Sequence, residues 1–341
     1  MIDMRSDTVT KPTKEMRQAM AWAEVGDAVY REDPTVRELE ERTADILGMD
    51  AALFMPSGTM TNQIAVRTHT NHGDEMIMDY KTHIHYYEVG GAAAISGVSC
   101  RFITGTRGVF TGTDLKTAIR PYNIHYPVPR LVSIENTHNK GGGSIWPMEN
   151  IADVADIAHR NNLKLHMDGA RLWHATIETG ISEREYSKYC DSVSVCFSKG
   201  LGAPIGSALA GDITFIQRAE RFRKQFGGGM RQAGIIAAGA LYALDHHRDR
   251  LAEDHEHARI FAEGIANIPG IVIAPDEINT NIVNFHASTI DAVMLSQRLI
   301  EAGLYVLPTS EDTIRAVTHL DVSRTDIERA VEIVATVMKA G

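Results

Sequence analysis

The sequence predicts an α/β protein, with a large domain built on a mostly parallel mixed sheet and a small α/β domain at the C-terminal end. Two observations favour this fold. Short apolar runs of strand length alternate with helical patterns between residues 51 and 197. A strongly helical stretch over residues 235–266 is then followed by shorter strand and helix patterns. We therefore predict an N-terminal arm over residues 1–33, a large domain over 34–245 and a small domain over 246–341.

The first helix is predicted directly after the arm. Residues 1–33 are polar and show little periodicity, so we expect them to depend on the rest of the protein for support. Asp33 and Pro34 are typical of a helix N-terminus, because an Asp side chain caps free backbone N–H groups and Pro fits the first turn. Apolar residues over 36–47 continue near helical spacing, and Gly48 predicts the end of the helix.

Five apolar runs in the large domain have the length of buried strands. The predicted strands are Ala51–Met55, Glu75–Met78, Arg130–Ile134, Leu163–Met167 and Ser192–Phe197. The spacing of apolar residues predicts an amphipathic helix over Ile151–Asn161, between two of these strands. Strands that alternate with helices in this way are typical of a parallel sheet with helices on both faces.

The small domain mixes short strands with helices. The predicted strands are Ile271–Ala274, Ile282–His286, Leu304–Leu307 and Ile314–Val317, and the predicted helices cover residues 291–302 and 324–339. Four histidines precede these elements in a charged helical stretch, where we expect them to be solvated. They are His246, His247, His255 and His257.

Composition limits the classes of function. The 341 residues carry a net charge of −10, which argues against binding to nucleic acid or to an anionic membrane surface. No run approaches the roughly 18 apolar residues of a membrane span, and the N-terminus lacks the apolar segment of a signal peptide. Cys100, Cys190 and Cys196 are too widely spaced to predict a disulfide framework. We therefore expect a cytoplasmic protein.

A lysine and a carboxylate follow two successive strands of the predicted sheet. Lys199 comes directly after the strand Ser192–Phe197, and Asp168 ends the preceding strand. Carboxyl ends of parallel strands meet at one edge of a sheet, so we expect both side chains there. A desolvated lysine can attack an aldehyde, and an Asp can keep a pyridine nitrogen protonated, as pyridoxal phosphate requires. Taken singly, Lys199 could be a solvated loop residue and Asp168 a helix N-cap.

A third polar segment precedes this pair in the chain. Ser57, Gly58 and Thr59 lie between a predicted strand and the start of a helix. Backbone N–H groups and hydroxyls at such a position can bind a phosphate group. The turn by itself is a weak signal, and no Gly-Lys-Ser/Thr sequence of a Walker loop follows it. Its order before Asp168 and Lys199 fits the phosphate site of a pyridoxal phosphate enzyme.

These segments belong to a longer set of motifs that resembles a known family. The motifs include MIDMRSDTVTKPT, AEVGDAVYREDPT, LFMPSGTMTN, HIHYYEVGGAA, IENTH, HMDGARLW, SKGLGAPIGS, GGGMRQAG and IRAVTHLDVSR, and they run from residue 1 to about residue 324. In combination they resemble the low-specificity threonine aldolases of the β-eliminating lyase group. The resemblance implies the aspartate-aminotransferase-type fold (fold type I) and pyridoxal phosphate as cofactor. It also implies reversible cleavage of L-threonine, L-allo-threonine and related β-hydroxy amino acids to glycine and an aldehyde.

The resemblance also implies which residues bind the cofactor. Lys199 would carry it covalently, and Asp168 would bind its pyridine nitrogen. His83 would stack on the ring and could take part in proton transfer. The remaining cofactor contacts would come from Ser57, Gly58, Thr59, Arg171 and Ser198. Lys224 and Arg231 would reach the phosphate of a neighbouring subunit, which implies a homodimer or a dimer of dimers.

The same resemblance implies a set of substrate contacts. Ser6, Arg171 and Arg315 would bind the substrate carboxylate, a task that suits the two parallel donors of a guanidinium group. His125 would lie close to the β-hydroxyl group, and Tyr30 would approach a neighbouring active site. The base that removes the hydroxyl proton is left open between His83, His125, a water held by them, and Glu88. Threo or erythro preference and the size of the aldehyde are also left open.

Several residues depart from the family pattern or have a simpler explanation. Arg31 replaces a common Gly, and His85 replaces a common aromatic residue. His83 and His85 could suggest a metal, but no HExxH motif accompanies them, so we predict no metal site. Arg315 could be a surface ion-pair residue, Lys224 and Arg231 a basic helix face, and His125 an ordinary loop residue. The departures at Arg31 and His85 bear on the substrate preference and not on the fold or the cofactor.

Two other functions remain open from the sequence. The first is a pyridoxal phosphate lyase or transferase of the same fold that catalyses β-elimination or transamination, because a fold alone does not fix the reaction. The second is a nucleotide-binding protein on a doubly wound sheet. The chain has neither a Walker loop nor a GxGxxG fingerprint, which disfavours the second function.

Overall fold

The computed structural model describes residues 1–340. The strands are β1 Ile2–Asp3, β2 Ala51–Met55, β3 Glu75–Asp79, β4 Ser99–Ile103, β5 Pro129–Glu135, β6 Lys164–Gly169, β7 Ser192–Cys196, β8 Ser207–Gly211, β9 Ile271–Val272, β10 Ile282–Ala287, β11 Leu304–Tyr305, β12 Leu307–Pro308 and β13 Thr313–Val317. The helices are α1 Lys14–Ala21, α2 Pro34–Leu47, α3 Gly58–His69, α4 His83–Tyr86, α5 Gly91–Ser96, α6 Gly112–Ala118, α7 Met148–Arg160, α8 Leu172–Thr179, α9 Glu183–Ser187, α10 Ile213–Gln225, α11 Gly234–His246, α12 Leu251–Ala266, α13 Ala292–Glu301 and α14 Arg324–Ala340. None of these helices is long and apolar enough to cross a bilayer.

The central sheet has seven strands in the order β2-β8-β7-β6-β5-β3-β4. Only β8 runs antiparallel to its neighbours, so the predicted mostly parallel mixed sheet is confirmed. The sequence did not predict β4 and β8. The edge strand β4 is half exposed and has no continuous apolar run, whereas β8 has the small-residue sequence SALAG without β-branched residues.

The register of β6 and β7 places their carboxyl ends side by side. These neighbours are parallel, with Asp168 opposite Ser194 and Gly169 opposite Val195. Asp168 is therefore the second-last residue of β6, and Lys199 follows the end of β7 by three positions. The strands thus place the Asp168 carboxylate and Lys199 at the same edge of the sheet, as the sequence predicts.

A second sheet has the order β12-β13-β10-β9 and packs against α12 and α13, and α14 packs against these two helices. This confirms the small α/β part at the C-terminal end. Its apolar core includes Phe261 and Phe285, whereas the larger core around the central sheet includes Trp146 and Phe197. Helix α12 reaches both cores, since its first residue, Leu251, lies in the larger one. The domain boundaries after residues 33 and 245 stay a prediction.

The N-terminal arm is more ordered than its polar sequence suggests. Strand β1 pairs in parallel with β11, and Ile2 and Met4 are buried in the smaller core. Thr13 caps α1, whose residue Met16 is buried in the larger core. The arm therefore joins the two cores, and its short elements were missed because their apolar partners lie far away in the sequence.

The prediction that four histidines are solvated is wrong for two of them. His247 is buried, and its Nδ1 lies 2.7 Å from the carbonyl oxygen of Leu201. His255 is buried between His174 and Glu178, at 2.9 Å from each. Helices α11 and α12 turn these side chains towards α8 and the Lys199 loop, a tertiary contact that a charged sequence pattern does not reveal.

One buried carboxylate, Asp33, stabilises the start of two helices. It accepts hydrogen bonds from the backbone N–H groups of Val36 in α2 and Gly234 in α11, both at 2.9 Å. It also accepts from Gly26 in the arm at 3.3 Å. Helix α11 has no cap from its own N-cap residue, Ala233. Asp33 therefore supplies the cap that α11 lacks, which the sequence predicted only for α2.

We expect Asp33→Ala to lower the free energy of unfolding by about 3 kcal/mol, because three N–H groups lose a charged acceptor. Asp212→Ala is the matched control, since Asp212 caps only α10 through Phe215 at an exposed position. Its expected cost is about 1 kcal/mol. Urea denaturation of both variants measures the difference, and equal costs would contradict the role of Asp33 in joining two helices.

Candidate active site

A pocket of about 330 Å³ opens at the carboxyl ends of β6 and β7. Seven of the residues predicted from the sequence line it. They are Ser57, Gly58, Thr59, His83, Asp168, Ser198 and Lys199. The pocket therefore contains an amine, a carboxylate, an imidazole and a helix N-terminus within reach of one small molecule.

The N-terminus of α3 forms one wall of the pocket. Ser57 is the N-cap, and its Oγ accepts a hydrogen bond from the backbone N–H of Met60 at 3.2 Å. The N–H groups of Gly58 and Thr59 belong to the first turn, which has no partners within its own helix. A Cβ atom at Gly58 would lie 2.7 Å from Cys196 Sγ, so glycine is needed for this close approach. The turn fits the phosphate group of pyridoxal phosphate.

Asp168 is a buried carboxylate that accepts two hydrogen bonds. Its Oδ2 accepts from Asn62 Nδ2 at 2.8 Å, and its Oδ1 accepts from the backbone N–H of Ala170 at 3.0 Å. Burial alone would raise the pKa of Asp168, but the charge of Lys199, the charge of His83 and the Asn62 hydrogen bond lower it below its usual value. An ionised carboxylate in this position fits the protonated ring nitrogen of pyridoxal phosphate.

His83 is fixed by two buried carboxylates. Its backbone N–H donates to Glu135 Oε2 at 2.7 Å, and its Nδ1 lies 3.0 Å from Glu88 Oε1. Burial would lower the pKa of His83, but the Glu88 hydrogen bond and the charges of Asp168 and Glu135 raise it above its usual value. These contacts therefore favour the protonated form of His83 beside Asp168.

The histidine pair does not converge on one site. His83 and His85 lie in the short helix α4, and His85 packs against Phe102 with ring centroids 4.3 Å apart. His83, Glu88 and Asp168 do offer ligand atoms within 4.8 Å of one another. Hydrogen bonds already join these three side chains to each other or to Asn62. The absence of a metal site stays a prediction.

Arg171 has a partner that the sequence prediction missed. Its Nε and Nη2 donate to the two carboxylate oxygens of Asp7, at 2.7 and 2.6 Å, and both side chains are buried. Burial would raise the pKa of Asp7, but the charge and hydrogen bonds of Arg171 lower it well below its usual value. The expected bidentate grip of Arg171 on a substrate carboxylate is therefore replaced in this structure by an internal ion pair.

Arg315 is the second buried guanidinium. Its Nη1 donates to Asn139 Oδ1 at 2.8 Å and its Nη2 to the carbonyl oxygen of Arg5 at 3.2 Å. Among the described residues no carboxylate pairs with it, and its Nε has no hydrogen-bond partner. Burial and the nearby positive charge of Arg171 lower the pKa of Arg315 from its usual value. A buried cation without a counter-charge is a good site for an anion such as a carboxylate.

Ser6 reaches this region through the arm. It lies between Arg5, whose carbonyl oxygen contacts Arg315, and Asp7, which pairs with Arg171. The Ser6 hydroxyl oxygen accepts from the backbone N–H of Thr8 at 3.2 Å. The chain thus brings Ser6 close to both arginines, although it does not line the Lys199 pocket.

Besides Ser6, Arg171 and Arg315, four further predicted site residues do not line this pocket. His125 lies in an exposed loop, and its contact with the β-hydroxyl group stays a prediction. Arg231 pairs with Asp27 at 2.8 Å and lies over the exposed ring of Tyr30, with its Cζ 5.8 Å from the ring centroid. Lys224 lies near them, against Gly229. Sequence motifs identify such residues but do not say which subunit they serve.

Comparisons with known proteins give consistent matches. The family model described as beta-eliminating lyase matches residues 3–288. Low-specificity L-threonine aldolase 1 of Arabidopsis thaliana is 41% identical, covering 96% of this chain and 93% of its own length. Low specificity L-threonine aldolase of Escherichia coli strain K12 is 40% identical over 98% of each chain. The solved threonine aldolase of Leishmania major has a TM-score of 0.85 at 20% identity, with 99% of this chain and 100% of that chain covered.

We expect Asp7→Asn to lower the free energy of unfolding by about 3 kcal/mol, because it leaves the buried charge of Arg171 unpaired. Since the folded pKa of Asp7 is depressed, the ion pair contributes fully above about pH 4 and is lost as the pH falls below it. Denaturation at several pH values measures both effects. Asp3→Asn is the control, since the Asp3–Arg5 pair is exposed and worth about 0.5 kcal/mol. Equal losses in the two variants would contradict the prediction.

Proposed function

Because this chain belongs to the beta-eliminating lyase family, we propose that it is a pyridoxal phosphate-dependent aldolase. It cleaves L-threonine, L-allo-threonine and related β-hydroxy-α-amino acids reversibly to glycine and an aldehyde. The observation that carries this proposal is the pocket where Lys199 and Asp168 face each other beside the N-terminus of α3. Relatives about 40% identical over nearly their whole length bear the name threonine aldolase, which supports the choice of reaction.

Each part of the pocket has a task in holding the cofactor. When bound, pyridoxal phosphate withdraws electrons from the bond that is broken at the substrate Cα. Lys199 would carry the cofactor covalently, and Asp168 would keep its ring nitrogen protonated. The phosphate group would be held by Ser57, Gly58, Thr59 and Ser198, and His83 would contact the ring. The raised pKa of His83 supports a role for it, or for a water that it holds, in moving the β-hydroxyl proton.

The substrate carboxylate is held between the two arginines. Arg315 supplies the guanidinium without a counter-charge, while Arg171 contributes its remaining Nη1 and Ser6 its hydroxyl group. By fixing the carboxylate, these groups would determine which bond at the substrate Cα is aligned for cleavage when the cofactor is bound. Alignment of the Cα–Cβ bond would favour aldol cleavage over β-elimination or transamination.

The active sites are shared between subunits of a homo-oligomer, a dimer or a dimer of dimers. Lys224, Arg231 and Tyr30 support this because they lie together on the surface, outside the pocket of their own chain. Lys224 and Arg231 would then bind the cofactor phosphate of a neighbour. His125, also outside its own pocket, is a candidate contact only if a neighbour supplies it. A cytoplasmic location fits the three unpaired cysteines.

Incubation of the protein with pyridoxal phosphate should give a visible absorbance band, and addition of threonine, allo-threonine or phenylserine should release an aldehyde and glycine. Lys199→Ala should abolish the band and the turnover, because no other amine lies in the pocket among the described residues. Absorbance spectra and aldehyde assays measure both. Lys188→Ala, at an exposed ion pair with Glu185, is the control that keeps both signals. Ammonia and a 2-oxo acid, which is 2-oxobutanoate from threonine, instead of glycine and an aldehyde would contradict the aldolase proposal.

Mixing two inactive variants tests whether sites are shared. Lys199→Ala and the double variant Lys224→Ala, Arg231→Ala should be impaired alone but regain part of the activity when their subunits are mixed. In a mixed dimer, one of the two sites contains Lys199 from the double variant together with Lys224 and Arg231 from the Lys199→Ala subunit. That site has all of its residues and should be active. Lys199→Ala mixed with Asp168→Ala is the control, because both lesions affect the pocket of their own chain and every mixed site is defective. Recovery in the control, or none in the test, contradicts sharing.

A further inference from the structure

Asn62 uses all four of its side-chain hydrogen-bonding positions. Its Nδ2 donates to Asp168 Oδ2 and to Glu88 Oε1, each at 2.8 Å. Its Oδ1 accepts from Ser194 Oγ at 2.9 Å and faces His166 Nε2 at 3.3 Å. An amide offers two donors and two acceptor sites, so Asn62 is fully satisfied in a buried position.

The charges around Asn62 fix the orientation of its amide. Asp168 and Glu88 are both carboxylates, which only accept hydrogen bonds when ionised. The opposite orientation would place the Asn62 carbonyl oxygen against two negative charges and leave its N–H groups facing Ser194 and His166. The observed orientation is therefore the one that stabilises both carboxylates.

Two buried histidines extend the same chain of donors. Burial lowers the pKa of His166 to about 4 and that of His69 to about 3, so both are neutral at pH 7. Since Asn62 Oδ1 can only accept, His166 carries its proton on Nε2, and its Nδ1 accepts from Ser192 Oγ at 2.8 Å. Ser192 in turn accepts from His69 Nε2 at 2.8 Å. The hydrogen bonds therefore form one chain, in which each group donates to the next from His69 through Ser192 and His166 to Asn62. Asn62 then donates to Asp168 and Glu88 at the end of the chain.

Glu88 connects this chain to the other side of the pocket. Its carboxylate receives Asn62 and the His83 ring nitrogen on Oε1, and Gln63 Nε2 at 2.5 Å on Oε2. Because Glu88 is buried, these three N–H groups take the place of water around its carboxylate. Asn62 is therefore the one residue among those described whose side chain donates hydrogen bonds both to Asp168 and to the carboxylate that orients His83.

We propose that Asn62 is a positioning residue that sets the Asp168 carboxylate against the cofactor ring nitrogen and, through Glu88, sets His83 against the ring. This inference rests on the proposed function, because it concerns how that site receives pyridoxal phosphate. Asn62 lies on α3, five positions after the N-cap Ser57. It thereby fixes the phosphate-binding end of the pocket relative to the end of β6, which carries Asp168.

The test compares Asn62→Leu with Gln63→Leu, its neighbour on α3. Gln63 is equally buried and donates to Glu88, but among the described residues it makes no hydrogen bond to Asp168. Both variants replace a buried amide with an apolar side chain of similar size. A loss of cofactor affinity in both variants would come from a general structural effect. A loss of affinity in Asn62→Leu alone would come from the missing hydrogen bond to Asp168.

Two measurements separate these cases. Titration with pyridoxal phosphate should show affinity weakened about tenfold or more in Asn62→Leu, and by about threefold or less in Gln63→Leu. The pH at which the visible band of the bound cofactor changes should rise only in Asn62→Leu. With Asp168 less firmly ionised, the ring nitrogen holds its proton less tightly and withdraws less charge from the Lys199 nitrogen, which becomes more basic.

A second variant conserves size in case Asn62→Leu does not fold. Asn62→Asp places a third carboxylate between Asp168 and Glu88, and it can donate a hydrogen bond only when protonated. Its cofactor affinity relative to the wild type should therefore be lowest near about pH 8 and recover towards about pH 5. A ratio that does not change with pH overturns the inference, as does an equal response of the two leucine variants.

The two proposals fail in distinguishable ways. A wild-type protein that gives no visible band with pyridoxal phosphate overturns the proposed function and this inference with it. A wild-type band together with identical band-change pH values in Asn62→Leu and Gln63→Leu overturns the positioning role alone.

Discussion

The arrangement of the site depends on one buried carboxylate that stays ionised. Asp168 lies at the end of β6, where removal from water alone would raise its pKa. The positive charge of Lys199, the charge of His83 and the hydrogen bond from Asn62 offset that cost and lower the pKa instead. These three come from the β7 loop, α4 and α3. The buried charge of Asp168 is stabilised only when all three elements have packed around it. Formation of the cofactor site is therefore coupled to folding of the large domain.

The two buried arginines differ in how their positive charges are balanced. Arg171 is fully compensated by Asp7, so it can remain buried without a ligand. Arg315 contacts only neutral acceptors, Asn139 and the carbonyl oxygen of Arg5, and it feels the charge of Arg171. A third charge of negative sign is therefore favourable beside Arg315 and unnecessary beside Arg171. This asymmetry supports the proposal that Arg315 is the main contact of the anion, whereas Arg171 is held by its ion pair with Asp7.

Local patterns predicted the residues that act at strand ends, and failed for residues whose partners are distant. Lys199 and Asp168 could be predicted because parallel strands bring their ends together whatever the details of packing. Asp7 and Asn62 could not, because they act through hydrogen bonds to residues 26 to 164 positions away, and an Asn five residues after a helix cap resembles any other helical Asn. Glu88 was predicted only as a candidate base, and its hydrogen bond to Asn62 was missed. The strand β8 escaped because buried Ser, Ala and Gly carry no strand preference by themselves.

The anion site has a further consequence because its parts come from three regions. Arg315 lies on β13 of the small sheet, Arg171 follows β6 of the large sheet, and Asp7 belongs to the arm that joins both cores. The charge of Arg171 contributes to the lowered pKa of Arg315, so the two guanidinium groups lie within electrostatic reach of each other. A substrate carboxylate beside Arg315 would supply the negative charge that Arg315 lacks among the described residues. Binding and orientation of the substrate would then depend on the same charge, and an amino acid without a free carboxylate would lose orientation as well as binding energy.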